Sequence, residues 1–455
     1  LTCPATGHRL RHHPRHVPVL DPEERIVATP VRHLHQHDGE TVTVRGWLAN
    51  KRSSGKIAFL HVRDGSGTVQ CVVSRAEVSD EAWEDVKRVT QESTVRVTGI
   101  ARRDQRAPGG VEIHATDFKV KALSDDFPIT KKEHGTAFLM EHRHLWLRSS
   151  RQRAALRVRS EVCQAIRDFF YEREFTLIDS PILTPTACEG TSTLFQTDYF
   201  GTPAYLSQSG QLYLEPAAAA LGKVYCMGPT FRAEKSKTRR HLMEFWMVEP
   251  EVAFLELDGL IQLAEEFVCY LVCRVLERCR DELAVLERDV SRLEKITPRF
   301  PHVTYGEAIE SLQGAGYDVR WGDDFGAEHE TFLASQHDKP LFVSRFPAAI
   351  KAFYMQPDPQ DEKLALGIDL LAPEGYGEII GGSQRIHDYE LLRRRIEEHQ
   401  LPLEAFRWYL DIRRYGTFPH SGFGMGIERF VCWMCGLSHL RETIPYPRML
   451  HKIYP

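Results

Sequence analysis

Between residues 41 and 123 apolar and polar residues alternate in short runs with a period close to two. TVTVRGWLANKR, KIAFLHVRDG, GTVQCVVS, STVRVTGIARRD and VEIHATDFKVKAL are rich in Val, Ile, Thr and Phe, and SSG, DGSG and APGG separate most of them. They predict five strands, and EVSDEAWEDVKRV, between the third and fourth, reads as a helix. After a polar connection over residues 125–150 the pattern changes. Residues 151–173 (RAALRVRSEVCQAIRDFFYER at their core) carry apolar positions at helical spacing. Strand-like runs follow: FTLIDSPILT, AYLSQSG, KVYCMGPTFRAE, EFWMVEPEVAF, LALGIDLLA, YGEIIGGSQR and SGFGMG. A long helical run, LDGLIQLAEEFVCYLVCRVLERCRDELAVLER, lies among them.

The expected organisation is therefore multidomain α+β. Residues 1–30, rich in His, Arg and Pro and without periodicity, form an extension. Residues 31–124 form a small β-barrel, and residues 125–150 a hinge. Residues 151–455 form a domain on a mixed, mostly antiparallel sheet flanked by helices, with a helical insertion over about 257–340. Five strands with a helix after the third is the layout of an OB-fold, which binds single-stranded nucleic acid on one face, although other small barrels share it. Cys3, His8, His12, His13 and His16 of the extension match no closed four-ligand metal pattern.

Composition narrows the class. With 42% hydrophobic and 27% charged residues, the chain can bury a large core. No apolar run approaches the roughly 18 residues of a membrane span, and the first residues carry no signal-peptide pattern, so a cytoplasmic protein is expected. The ten cysteines are scattered, and the single CWMC in an apolar helix reads as core packing. Net charge is −5, but residues 31–125 hold 15 Lys and Arg against 13 Asp and Glu. That part can approach phosphates while the rest stays acidic.

Candidate chemistry concentrates in three segments. FRAEKSKTRRHLMEFWMVEPE (231–251) sets five cations among two carboxylates and a histidine in its first fourteen residues. A fixed Arg232 offers a planar fork for phosphate or carboxylate, and Lys235, Lys237 and Arg239 sit on a loop able to close over a polyanion. LLAPEGYGEIIGGSQR (370–385) places Glu378 among glycines, nine residues after Asp369; both are candidate magnesium ligands beside a phosphate site. SGFGMGIERF (421–430) tempts a dinucleotide-binding reading, but no βαβ unit follows and the chain nearly ends. Its glycines fit a ligand lying against backbone, with Arg429 opening the next helix.

Pro181 after the first long helix, FRAE…RRHLMEF and GFGMGIERF resemble, in this order, motifs 1, 2 and 3 of the class II aminoacyl-tRNA synthetases. The barrel before them is similar to the aspartyl, asparaginyl and lysyl group, and GLSHLRETIPYPR to its aspartyl and asparaginyl members. The resemblance runs from about residue 31 to the end. It implies a homodimer that uses ATP, magnesium, an amino acid and tRNA. For ATP it implies Arg232 on the α-phosphate, Arg240 and His241 on the outer phosphates, and adenine between Phe245 and Arg429. Glu234, Leu242, Gly426 and Glu428 complete the nucleotide set. Glu378, with Asp369, would hold magnesium, and Arg232, Glu378 and Arg429 would carry catalysis.

For the amino acid it implies Glu189, Gln211, Glu234, Gly381 and Arg385. Where aspartyl members read QLYKQ, this chain has Leu214 and Glu215. Without that lysine, Glu234 accepting from an amide and Arg385 donating to its oxygen fit asparagine, so L-asparagine and its tRNA, tRNA(Asn), are the expected substrates. On the barrel, Phe59 and Gln70 resemble the pair that reads the central anticodon base, with Arg45, Lys51, Arg52 and Arg63 as further contacts. Three readings compete. Leu214 opposes an aspartyl enzyme, the barrel opposes an asparagine synthetase on the same core, and Arg232, Glu378 and Arg429 together oppose a non-catalytic tRNA-binding paralogue.

Overall fold

The alternating runs fold as the five strands that their period predicts. In the computed structural model, which describes residues 27–185 and 194–455, the chain divides into two units, Leu1–Glu133 and His134–Pro455. Almost all of the expected extension, with its cysteine and histidines, and the candidate Glu189 lie outside the described residues.

In the first unit β1 (Thr41–Ser54), β2 (Ile57–Arg63), β3 (Thr68–Ser74), α1 (Asp80–Arg88), β4 (Thr94–Arg103) and β5 (Val111–Ala122) follow in order. The strands close into a barrel in the order β1-β2-β3-β5-β4. Alternate residues such as Val44, Leu60, Val62, Cys71, Val97 and Ile113 fill one core. Phe59 and Gln70 occupy the other parity and are half-buried, so Phe59 is not a core residue.

Two expected nucleic-acid contacts turn out to be structural. Ser79 caps the start of α1. Lys51 Nζ donates to the carbonyls of Val86, Lys87 and Val89 at its other end, at 2.8, 2.8 and 3.2 Å. Four carbonyls at a helix C-terminus lack partners, and an ammonium there satisfies them and the helix dipole together. Arg63 pairs with Glu92 at 2.6 Å, both buried, and lies over the Trp47 ring at 5.2 Å.

The second unit begins earlier than the expected domain boundary. Residues 134–150 belong to it: α2 (Thr136–Glu141) and α3 (Arg143–Trp146) precede α4 (Ser150–Glu172). The reason is Arg143, which is fully buried. It donates to the Gln152 side chain at 2.6 Å and to the carbonyls of Ile444 and Pro445 at 2.9 and 2.8 Å. The hinge is thus cut back to about 125–133.

Short β6 (Thr176–Leu177), β7 (Leu183–Thr184), β8 (Gln196–Tyr199) and β9 (Thr202–Leu206) lead to α5 (Gln211–Leu221), β10 (Lys223–Phe231) and β11 (Glu244–Ala253). Next come α6 (Leu257–Arg278), α7 (Arg280–Val285), α8 (Val290–Glu294), β12 (His302–Thr304), α9 (Tyr305–Gly314), α10 (Ala327–Ser335), β13 (Leu341–Pro347), β14 (Pro357–Asp358), β15 (Asp361–Ala372) and β16 (Gly377–Gln384). The chain ends with α11 (Tyr389–Glu398), α12 (Arg407–Arg414), β17 (His420–Gly426) and α13 (Ile427–Cys435).

The main sheet runs β12-β13-β15-β16-β17-β11-β10-β6, and its four central pairings, from β15 to β10, are antiparallel. The apolar faces of α4, α6 and α13 share one core behind it. Cys432 and Cys435 sit inside that core as expected, their thiols pushed up by burial, Cys432 to about 12. Within the expected insertion over 257–340, α6 is a core helix, β12 pairs with β13 at the sheet edge, and α9 and α10 pack a second small core there.

Arg143→Leu removes a donor from the buried Ile444 carbonyl, the half-buried Pro445 carbonyl and the buried Gln152 amide. Each unsatisfied group costs roughly 1–3 kcal/mol. Chemical denaturation should show the second unit destabilised by at least that amount, with the barrel's transition in place.

Candidate active site

A groove crosses the sheet over β11, β16 and β17, and Arg232, Met247, Glu378 and Gly424 are shared by its two chambers. The outer chamber, about 130 Å³, is lined by Arg232, Glu234, Arg240, His241, Leu242, Phe245, Glu378, Gly426, Glu428 and Arg429. All ten residues expected to meet the nucleotide are thus brought together. They arrive from the segment after β10, from the start of β11, from β16 and from the β17–α13 junction.

Their roles differ in detail. Arg232 hydrogen-bonds through its backbone N–H to Met243 at 3.0 Å, continuing the strand pairing, and its guanidinium carbon lies 5.4 Å from the centre of the Phe245 ring. Arg429 donates to the Glu378 carbonyl. Arg240 donates to Thr331 Oγ1 at 3.1 Å and to the Gly375 carbonyl, and lies 3.5 Å from Glu330. His241 Nε2 is 3.4 Å from Glu234. Burial lowers its pKa; Glu234 opposes this, while Arg429, Arg232 and Arg240 add to it.

Glu428 corrects an expectation. It borders the chamber, but one oxygen accepts from the Trp246 N–H at 2.9 Å and the other pairs with Arg159 of α4 at 2.7 Å. It ties α13 to β11 and α4, so both of its oxygens are engaged by partners within the protein.

The inner chamber, about 590 Å³, is lined by Gln211, Asp369, Gly381 and Arg385 among the expected residues. Arg385 is buried and paired on two sides with Glu251, Nε donating at 3.1 Å and Nη2 at 2.9 Å, while Nη1 donates to Ser383 at 2.8 Å. Glu234 does not line this chamber; its carboxylate faces His241 in the outer one, so the expected Glu234–Arg385 pairing about one amide is absent here. Leu214 does not line it either. On the inner face of α5, it is buried with Ala218, Val224, Cys226 and Phe418, because that apolar cluster claims the position.

Glu378 and Asp369 converge. A Cβ at Gly381 would lie 2.6 Å from Glu378 Oε1 and 3.7 Å from Asp369 Oδ1, so the two carboxylates meet over one bare backbone position. Asp369 Oδ2 accepts from Lys351 Nζ at 2.8 Å. Burial lifts the Asp369 carboxyl; Lys351 pulls against this and Glu378 adds to it, leaving it raised to about 7. Two crowded carboxylate oxygens over a glycine cradle fit a divalent cation.

Lys351, Ser209, Glu249 and Glu251 line the inner chamber without having been anticipated. Glu249 and Glu251 had a signal, two carboxylates at strand spacing in the apolar run FWMVEPEVAF. Lys351 had none.

On the barrel a cleft of about 760 Å³ is lined by Arg52, Phe59 and Gln70, with Asp104, Arg106 and Glu112 beside them. Register explains the grouping: Phe59 faces Arg52 on β1 and Val72 on β3, and Val72 and Gln70 share a face. Arg45 lies opposite Arg96 on β4 and does not line this cleft.

Residues 135–450 match the family model for class II tRNA synthetases (D, K and N), and residues 42–121 that for the OB-fold nucleic acid binding domain. An asparagine–tRNA ligase of Sorangium cellulosum is 58% identical over 95% of this chain and 100% of its own length. Asparaginyl-tRNA synthetase of Pyrococcus horikoshii, solved with asparaginyl-adenylate, superposes with a TM-score of 0.92 at 43% identity, covering 94% of this chain and 100% of that one. The Entamoeba histolytica enzyme, also with asparaginyl-adenylate, gives 0.85 at 32%, over 94% and 100%.

Filling the cradle tests the cation site. Gly381→Val should push the Glu378 carboxylate aside and weaken Mn²⁺ binding, read by electron paramagnetic resonance titration, while the thermal transition stays close to that of the parent.

Proposed function

The chain belongs to the class II aminoacyl-tRNA synthetases of the aspartyl, lysyl and asparaginyl group, and from that membership and its groove we infer that it joins asparagine to tRNA. It activates L-asparagine with ATP to asparaginyl-adenylate and pyrophosphate, then passes the asparaginyl group to the 3′ end of tRNA(Asn), as a cytoplasmic enzyme of translation.

In the first step an oxygen of the asparagine α-carboxylate attacks the α-phosphorus. The bond to the β-phosphate oxygen breaks, and pyrophosphate leaves with the electron pair. In the second, a hydroxyl of the terminal ribose attacks the acyl carbon and AMP leaves. Neither step needs a side-chain nucleophile, so positioning and charge stabilisation carry the rate. Glu378 and Asp369 would hold magnesium, which would supply positive charge beside the phosphates. Arg232 holds the α-phosphate, a role supported by its lining both chambers. Arg240 and His241 take the outer phosphates, and Phe245 and Arg429 flank adenine.

One observation favours asparagine over aspartate: the cation that meets the side chain is already neutralised. Arg385 retains N–H groups beyond those given to Glu251 and Ser383, enough to bond an amide oxygen. Its charge is compensated by Glu251, so a substrate carboxylate finds donors but little net attraction.

The barrel cleft at Phe59 and Gln70 reads the anticodon by stacking and hydrogen bonding. A homodimer is supported by exposed Tyr171, Leu177, Ile182, Leu183, Tyr199 and Phe200, an apolar set concentrated at the end of α4 and along the short strands that follow.

Pyrophosphate exchange should proceed with asparagine and be weaker by orders of magnitude with aspartate; comparable kcat/KM values for the two would refute the asparagine reading. Arg232→Ala should abolish exchange in a folded protein, since one charged donor at the reacting phosphate contributes about 3–4 kcal/mol to transition-state stabilisation. Phe59→Ala should leave exchange intact and lower tRNA charging by roughly the 1–3 kcal/mol of one base–aromatic stack. Sedimentation should give twice the chain mass.

A further inference from the structure

Glu215 follows Gln211 by one turn of α5, and its side chain has no exposure at all. Four side chains converge on its carboxylate. Oε1 accepts from Gln211 Nε2 at 3.2 Å and from the Tyr409 hydroxyl at 2.7 Å. Oε2 accepts from Arg413 Nη2 at 2.6 Å and lies 3.0 Å from His420 Nε2. Burial alone would raise this carboxyl, but the Arg413 charge and the His420 hydrogen bond outweigh it and hold it well below the usual range. Glu215 is therefore an acceptor only.

That settles the orientation of a group that lines the substrate chamber. A glutamine amide has a donating and an accepting end, and which way it points depends on its neighbours. Facing an ionised carboxylate, Gln211 must turn its nitrogen inward, and among the described residues nothing bonds its Oε1. Close by, Ser209 Oγ accepts from the Gln211 backbone N–H at 3.1 Å and donates to Glu249, another buried carboxylate on the chamber wall. This corner collects acceptors, whereas the Arg385 end presents donors. The amino acid's one cation is its α-ammonium.

We propose that Glu215 is a positioning residue that locks the Gln211 amide so that Oε1 faces the α-ammonium of the bound amino acid. The proposal rests on the reading of the groove as an asparagine-activating site. Without the lock the amide can flip and present its NH₂ to an ammonium, replacing an attraction by a repulsion.

An exchanged pair separates this role from mere support of the fold. In pyrophosphate exchange, Glu215→Gln should raise the KM for asparagine about 10- to 100-fold, the range for a lost hydrogen bond to a charged group, with the KM for ATP unchanged. Gln211→Glu alone should also impair binding, because its carboxylate would confront Glu215. The double variant should recover most of the affinity, since the new glutamine can donate to the new carboxylate while the latter's second oxygen faces the chamber. An unchanged asparagine KM in folded Glu215→Gln, or a double variant no better than the worse single one, would overturn the proposal. Should Glu215→Gln fail to fold with Arg413 unpaired, Gln211→Met leaves the network whole and must still raise the asparagine KM; no rise overturns the proposal. Loss of asparagine-dependent exchange in the unaltered protein would instead count against the functional reading.

Discussion

A guanidinium out of reach of water needs an anion, and the inner half of the groove is built around that need. Arg385 and Glu251 have side chains 3% and 1% exposed and share two hydrogen bonds. Removing one partner of such a pair typically costs about 3–5 kcal/mol, because the other is left charged and dry. The pair dictates the residues around it. A Cβ at position 422 would fall 2.0 Å from Glu251 Oε2, so β17 passes the carboxylate only as glycine. Behind the pair a second one stands: a carboxylate oxygen of Glu215, one of Glu251 and a ring nitrogen of His420 lie within 4.8 Å of one another, and Arg413 holds Glu215. Burial raises the Glu251 carboxyl; Arg385 opposes that rise and Glu215 adds to it. Two carboxylates, Glu251 and Glu215, thus stand between Arg385 and Arg413, each held by its own guanidinium.

The outer chamber follows the opposite rule. Arg232, Arg240, His241 and Arg429 converge there, with carboxylates from Glu234 and Glu378 only partly offsetting them. A triphosphate would complete that balance, and a divalent cation held by Glu378 and Asp369, as proposed, would relieve the crowding of two carboxylates over Gly381. One groove therefore contains a half that welcomes several negative charges and a half in which charge is already cancelled. Antiparallel strands make the contrast possible. Glu251 faces Gly422, and Gly424 faces Gly381, so residues from β11, β17 and β16 meet on one surface at fixed spacing.

Sequence carried the elements well and the partners poorly. Period-two alternation gave the barrel strands to within a few residues, because one face of each is buried. The residues expected to meet the nucleotide line one chamber because they cluster on three segments that the sheet brings together. What failed were predictions of which partner a charged side chain takes. Lys51, Arg63 and Glu428 looked like ligand contacts, yet each satisfies a buried or terminal group of the protein. Nothing in the chain around them shows that the C-terminal end of α1, Glu92 or Arg159 will arrive alongside. Arg143, in a stretch read as a hinge, is pinned by carbonyls some 300 positions on. Leu214 was rightly seen as not a cation, but only packing shows that it faces the cluster beneath α5.

These limits bear on how the amide is told from the carboxylate. Counting charges along the sequence would assign Arg385 to an anion, as arginine in a buried pocket commonly is. The fold instead gives it an anion of its own. What remains to the substrate is the directional part of the guanidinium, hydrogen atoms fixed by the bonds to Glu251 and Ser383, with its long-range field largely cancelled. An amide oxygen needs only the former. A carboxylate needs both, since it must be compensated for leaving water, and an uncompensated charge taken out of water costs far more than one imperfect hydrogen bond. On the proposed reading, discrimination is therefore a property of the pair, with Glu251 disfavouring the carboxylate through the arginine that would meet the amide.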